Sequence, residues 1–160
     1  MVRLILAKII FLFAFSSFAM EQLIEADGKI FFTNEQGDLV KHAASLSMTH
    51  GEDGEKGELS LTVGNQTYTT SKYSSRKKSG RTIFYMAFSK DDDFLNQHKA
   101  CVFKGTYVRA NNLAVYYGDF FRSGADNSED QEVIQKLLGT SSFHKYKYLG
   151  GFAFKRPIER

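Results

Sequence analysis

The sequence has one cysteine, one proline and no tryptophan among its 160 residues. A single cysteine excludes an internal disulfide, so the fold must depend on its hydrophobic core. The scarcity of proline, together with fifteen phenylalanines and eight tyrosines, favours β-strands that pair through aromatic side chains. Neither charge sign dominates, with 21 basic and 18 acidic residues, and this balance gives no support for general nucleic-acid binding.

The first 19 residues have the pattern of a cleaved signal peptide. Arg3 and Lys8 accompany an apolar run over residues 4–18, and small residues at Ser17 and Ala19 suit a signal peptidase. The run is short for a membrane span and contains a lysine, which disfavours an uncleaved anchor. We therefore expect cleavage after Ala19 and a periplasmic or secreted protein, with no lipid anchor because the one cysteine, Cys101, is far from that point.

Residues 20–160 are then expected to form a single β-rich domain, a usual size for one hydrophobic core. Removal of residues 1–19 takes away two basic and no acidic residues, which leaves a formal net charge of +1. Part of the positive net charge of the whole chain therefore comes from the expected signal peptide.

The clearest sequence pattern in this domain is that of a β-hairpin over residues 101–122. Asn111 and Asn112 suit the two central positions of a type I′ turn, where both residues have a positive φ. The turn fixes the register, and a shift of one residue would lose every match between partners. The expected pairs are Ala110 with Leu113, Val108 with Val115, Tyr107 with Tyr116, Gly105 with Gly118, Lys104 with Asp119, and Phe103 with Phe120.

Other strands and one helix follow from periodicity and turn residues. A second hairpin joins 59–63 to 66–70 through Gly64 and Asn65, and the pattern indicates further strands at 29–33, 39–50, 82–88 and 143–154. Residues 91–99 are expected to form a helical turn capped by an aspartate. Ser128 and Gln131 have the spacing of a capping box and begin an apolar stripe that ends at Gly139, which predicts one short helix.

These elements predict a mainly β protein. The expected architecture is a single antiparallel β-barrel or β-sandwich, with the short helix packed on an end or edge of the sheet.

One candidate ligand site lies on a face of the central hairpin. The paired glycines leave a gap between two aromatic pairs, which could hold a small apolar ligand in the manner of a calycin-like carrier. The alternative is that a neighbouring ring fills the gap or that the glycines permit coiling of the sheet. The six residues are Phe103, Gly105, Tyr107, Tyr116, Gly118 and Phe120.

A second candidate site is the basic segment 72–81, which is interpreted as a mobile loop. Such a segment could bind an acidic protein or another anionic polymer, or it could simply keep a hairpin soluble. The basic residues are Lys72, Arg76, Lys77, Lys78 and Arg81.

Catalytic and metal sites have weak support. His98 precedes Cys101 by three residues, but no oxyanion element or third partner accompanies them, and a cysteine in an apolar strand is usually buried and inert. The other histidines have no metal-binding spacing, the acidic runs 52–55 and 91–93 lack the pattern of a calcium loop, and no cofactor motif occurs.

The sequence thus favours an exported, non-enzymatic protein that binds a protein or an anionic polymer through a surface including the basic segment. The alternatives are a small calycin-like carrier and, less favoured, a hydrolytic enzyme.

Overall fold

The computed structural model describes residues 25–49, 57–123 and 146–158. Nine β-strands form one antiparallel sheet in the order β4-β3-β2-β1-β9-β8-β7-β6-β5. The expectation of a mainly β, antiparallel fold is confirmed, and the sheet curls into a half-barrel. The strands are β1 (Glu25–Thr33), β2 (Leu39–Thr49), β3 (Glu58–Val63), β4 (Gln66–Thr70), β5 (Tyr73–Lys78), β6 (Arg81–Phe88), β7 (Cys101–Ala110), β8 (Leu113–Ser123) and β9 (Tyr146–Pro157).

The central hairpin, β7 and β8, has the predicted register at all six pairs, from Ala110 with Leu113 to Phe103 with Phe120. Asn111 and Asn112 have φ values of 50° and 60°, as a type I′ turn requires. The hairpin of β3 and β4 is also confirmed, with Leu61 opposite Tyr68 and Gly64 at a φ of 59°.

The curl of the sheet follows from its connectivity. β4 and β5 occupy opposite edges, yet only Ser71 and Lys72 join them. Because so short a link spans about 10 Å at most, the two edges must approach each other at this corner. Two hydrogen bonds cross it: the Thr70 hydroxyl donates to the Ala87 carbonyl at 2.7 Å, and the Ala87 amide donates to the Lys72 carbonyl at 2.9 Å.

The concave face of the sheet contains the main hydrophobic core. Alternate residues of each strand point inward, so that Ala44, Leu46 and Met48 form the buried face of β2. Aromatic rings fill the half of the core under β6 to β9. The largest fully buried side chains there are Phe84, Phe88, Phe94, Phe103, Tyr116, Phe120, Phe152 and Phe154.

The connection between β6 and β7 closes one end of this core. It contains two short 3-10 turns, Lys90–Asp92 and Phe94–Asn96, and the cap of the first is Ser89 rather than an aspartate. The Ser89 hydroxyl accepts a hydrogen bond from the Asp91 amide at 3.2 Å. Phe94 is fully buried, and its ring stacks on Phe88 with centroids 5.1 Å apart.

The convex face is divided into two halves of different character. Over β2, β3 and β4 the outward residues include serines and threonines, and the hydroxyls of Thr62 and Thr67 are 2.9 Å apart. Over β6 and β7 the outward residues include Tyr85, Ala87 and Val102, which form a second buried apolar cluster. From Phe84 to Phe88, β6 is therefore covered on both faces.

Two expectations fall on other parts of the chain. The signal peptide at 1–19 and the helix beginning at Ser128 both lie outside the described residues. Within the described ranges there is no α-helix, and no helix there is long and apolar enough to span a membrane.

Candidate functional site

The gap predicted between the aromatic pairs of the central hairpin is filled by two rings. A Cβ atom on Gly105 would lie 2.3 Å from Cζ of Phe84 and 2.8 Å from Cζ of Phe152. Phe103 and Phe120 stack with centroids 5.0 Å apart, and both are fully buried. Since β6 and β9 supply rings to the space beside Gly105, the packing gives no support to a ligand slot there.

The tyrosine pair at the other end of the hairpin is partly open. Tyr116 is fully buried, whereas Tyr107 is half-buried, and their ring centroids are 5.0 Å apart. Burial raises the pKa of Tyr116, against the lowering effect of a hydrogen bond with Arg156. Gly118, the last of the six predicted residues, pairs with Gly105 and is half-buried.

The basic segment is a strand and not a mobile loop, which corrects the expectation from sequence. Residues Tyr73–Lys78 form β5, which pairs with β6 and is connected to it by a turn at Ser79 and Gly80, both with positive φ. The sequence pattern concealed this strand because it has one buried apolar residue, Tyr73, whose place in the core comes from pairing with Met86.

Strand β5 divides the basic residues between the two faces of the sheet. Arg76 pairs with Ile83 and Lys78 with Arg81, which places these three basic residues on the convex face. Lys77 alternates with them and belongs to the concave side, while Lys72 lies at the corner between β4 and β5.

An open groove of about 530 Å³ crosses the convex face from β6 to β1, and we call it the outer groove. Its floor is the backbone of Gly105 and Gly118, and it runs between two rows of outward side chains. Side chains two residues apart on a strand are separated by about 7 Å, which sets the width. The lining residues are Phe31, Ile83, Lys104, Gly105, Thr106, Tyr117, Gly118, Asp119, Phe121, Phe152 and Ala153.

Aromatic side chains on the walls of the outer groove are exposed to solvent. Phe31 is 37% exposed and Tyr117 is 41% exposed, although each belongs to an internal strand. The ring of Phe31 lies over Gly151 of β9, where the lack of a side chain makes room for it. Phe121 is half-buried and contacts the ring of Tyr148 edge to face at 5.8 Å.

Basic residues continue the two rows beyond the ends of the outer groove. Ile83, at the β6 end, pairs with Arg76 of β5. At the other end Phe31 pairs with Lys41 of β2, and Ala153 pairs with Lys29 of β1. Inside the outer groove the only charged pair is Lys104 with Asp119, directly opposite each other on β7 and β8.

Cys101 and His98 do not form a reactive pair. Cys101 is fully buried, and burial raises the pKa of its thiol to about 12, partly opposed by the nearby charge of Arg122. The side chain of His98 is 80% exposed, and its Nδ1 lies 3.0 Å from Oδ1 of Asp93. A thiol in this state is a poor nucleophile at neutral pH.

The described residues contain no cluster of three or more histidine, cysteine, aspartate or glutamate side chains that could bind a metal ion. His42 is half-buried and stacks on Phe32 with centroids 5.8 Å apart. His50, His144 and the acidic run 52–55 lie outside the described residues.

The pair of Lys104 with Asp119 could be predicted from the sequence, whereas the outer groove in which both residues lie was not identified. A usable signal was present, because Tyr117 shares its face with Lys104 and Asp119, and Phe31 shares its face with Lys29. A large ring that alternates with charged residues indicates an exposed aromatic side chain.

Comparison with models of protein families, with curated proteins and with solved structures finds no match to this chain. The function must therefore be argued from the site itself.

Proposed function

We propose that the protein is an exported, non-enzymatic binding protein that holds an anionic polymer along the outer groove. The observation that carries this proposal is the arrangement of basic residues at both ends of a groove with aromatic walls. A chain that lies across the strands from β6 to β1 covers about 19 Å, four times the spacing between strands. A polymer that continues by one strand at each end, to about 28 Å, places acidic groups beside Arg76 of β5 at one end and beside Lys29 and Lys41 of β1 and β2 at the other.

Electrostatic attraction suits this role because basic residues flank both ends of the outer groove on the convex face. The formal charge expected after cleavage is only +1, so a non-selective attraction of anions to the whole molecule is weak. Arg76, Lys78 and Arg81 belong to the convex face, which concentrates positive charge next to the outer groove.

The buried interior offers less to a ligand. The rings of Phe103, Tyr116 and Phe120 contact other rings of the core, so an apolar ligand would have to displace side chains already packed together. This packing favours the outer groove over a calycin-like carrier function.

Charge reversal tests the proposal, with polyglutamate and polygalacturonate as anionic probes. The first measurement, by calorimetry at low salt, shows which of the two polymers binds the unchanged protein. The double variant Arg76→Glu with Lys41→Glu is expected to bind that polymer at least tenfold more weakly. Lys77→Glu with Arg109→Glu is the matched control, because it changes the net charge by the same amount and both residues are exposed on the other face of the sheet. Equal losses in the variant and the control would contradict the proposal.

A further inference from the structure

We infer that the polymer held in the outer groove is a polysaccharide containing uronic acids, whose sugar rings stack on Phe31 and Tyr117. This inference rests on the proposed function and names the chemistry of its ligand. It is carried by three features of the outer groove: its exposed rings, its hydrogen-bonding side chains and the internal position of its strands.

The exposed rings offer flat apolar surfaces to a ligand. The face of an aromatic ring is electron-rich, and it attracts the partly positive C–H groups on the flat side of a sugar. Phe31 and Tyr117 lie on β1 and β8, the two neighbours of β9, and are therefore about 10 Å apart across the sheet. Between them are the small residues Gly151 and Ala153, so neither ring is hidden by a larger neighbour on β9.

The polar side chains of the outer groove suit hydroxyl groups better than a continuous line of negative charge. Thr106 and Tyr117 each provide a hydroxyl that can donate and accept hydrogen bonds. Asp119 is exposed on the opposite wall, beside Lys104, where it would repel a carboxylate but can accept hydrogen bonds from sugar hydroxyls. A polymer with many hydroxyls and widely spaced carboxylates fits both walls and also the basic residues at the ends.

An acidic polypeptide fits the outer groove less well. A peptide that binds a sheet commonly adds a strand at an exposed edge, where its main-chain amides are satisfied. The five strands from β6 to β1 in the sheet order are each paired on both sides, so their backbone amides and carbonyls are engaged in the sheet. The backbone amides and carbonyls of a bound peptide would therefore have only the few polar side chains of the walls as hydrogen-bond partners.

The experiment compares a hexamer of galacturonic acid with a hexamer of glutamic acid. Tyr117→Ala is expected to weaken binding of the sugar hexamer by about five- to tenfold, the range of one aromatic contact, and to change binding of the peptide by less than about twofold. Tyr117→Phe keeps the ring and is expected to retain most of the affinity for sugar. Tyr148→Ala is the matched control, since Tyr148 is 56% exposed on the same face but does not line the outer groove.

The outcomes separate this inference from the proposed function. Selective loss of sugar binding in Tyr117→Ala, with Tyr148→Ala unchanged, supports both. Binding of the glutamate hexamer alone, weakened by charge reversal at Arg76 and Lys41, overturns the inference and leaves the proposed function standing. Failure of the protein to bind either hexamer or either polymer contradicts both, and circular dichroism of each variant excludes misfolding as the cause.

Discussion

The ring of Phe31 lies over Gly151 so closely that a Cβ atom on Gly151 would be 2.5 Å from Cζ of Phe31. The two residues pair across β1 and β9 on the convex face. Because Gly151 has no side chain, the ring rests on the backbone of the neighbouring strand and forms one wall of the outer groove. The same kind of contact occurs on the concave face, where Gly105 leaves space for the buried rings of Phe84 and Phe152.

Gly105→Ala and Gly151→Ala are expected to have different effects on stability. The added methyl group contacts immobile rings at Gly105 and a ring that can move at Gly151. At Gly105 the added methyl group meets two rings that are locked in the core, which should lower the free energy of unfolding by about 1–3 kcal/mol. At Gly151 it meets the partly exposed ring of Phe31, which can move outward, so the loss should stay below about 1 kcal/mol. Urea unfolding followed by circular dichroism measures both.

Binding should show the reverse order. Displacement of the Phe31 ring in Gly151→Ala should weaken binding of the galacturonate hexamer more than Gly105→Ala does, because the methyl group added at Gly105 points to the concave face and away from the ligand. A Gly151→Ala variant with unaltered sugar binding would show that the position of this ring is unimportant to the site.

The sequence was sufficient for features that depend on neighbouring residues in the chain. The register of β7 and β8 follows from two asparagines in a tight turn, and each matched pair of residues across the two strands supports the same register. The strand at 39–50 could be predicted because apolar and polar residues alternate without interruption from Ala44 to Met48. Such local patterns can be recognised without knowing which strands are neighbours in the sheet.

Features that depend on distant pairing could not be read in this way. The rings beside Gly105 come from β6 and β9, which are brought to β7 and β8 only by the order of the sheet. The strand character of β5 comes from its pairing with β6, since its own residues are mostly polar. The outer groove is of the same kind, because its walls combine residues from five strands.

Thr70→Val tests whether the hydrogen bonds at the corner between β4 and β5 hold the two edges together. The Thr70 hydroxyl donates to the Ala87 carbonyl at 2.7 Å and accepts from the Lys72 amide at 3.0 Å, in a buried position. Valine keeps the shape but leaves both partners without this hydroxyl, so the free energy of unfolding should fall by about 1–3 kcal/mol.

Thr69→Val is the matched control for this change, since Thr69 is the adjacent residue of β4 and is exposed. It should alter the stability by no more than about 0.5 kcal/mol. Equal losses in the two variants, measured by urea unfolding, would show that the corner contributes nothing beyond strand propensity.

The buried thiol of Cys101 should make the stability of the protein depend on alkaline pH. Burial raises its pKa from an ordinary value of 9.0 to about 12 in the folded protein, so the folded state holds the thiol proton more tightly than the unfolded chain. Below about pH 9 both states carry the proton and the stabilisation is complete. Between about pH 9 and 12 the unfolded chain loses the proton first, and the free energy of unfolding should fall by about 1.4 kcal/mol per pH unit.

Comparison with Cys101→Ala isolates this contribution, because the pKa of Tyr116 is also raised by burial and affects both proteins in the same direction. Urea unfolding at pH 8.0, 9.5 and 10.5 should give a steeper decline for the unchanged protein than for Cys101→Ala, whose lower stability at pH 8.0 reflects the lost packing alone. Iodoacetamide provides an independent check at pH 8.0, where a thiol with a pKa near 12 is almost entirely protonated and should react only after unfolding. Parallel declines in the two proteins, or rapid labelling of the folded protein, would show that the Cys101 thiol ionises in the folded state.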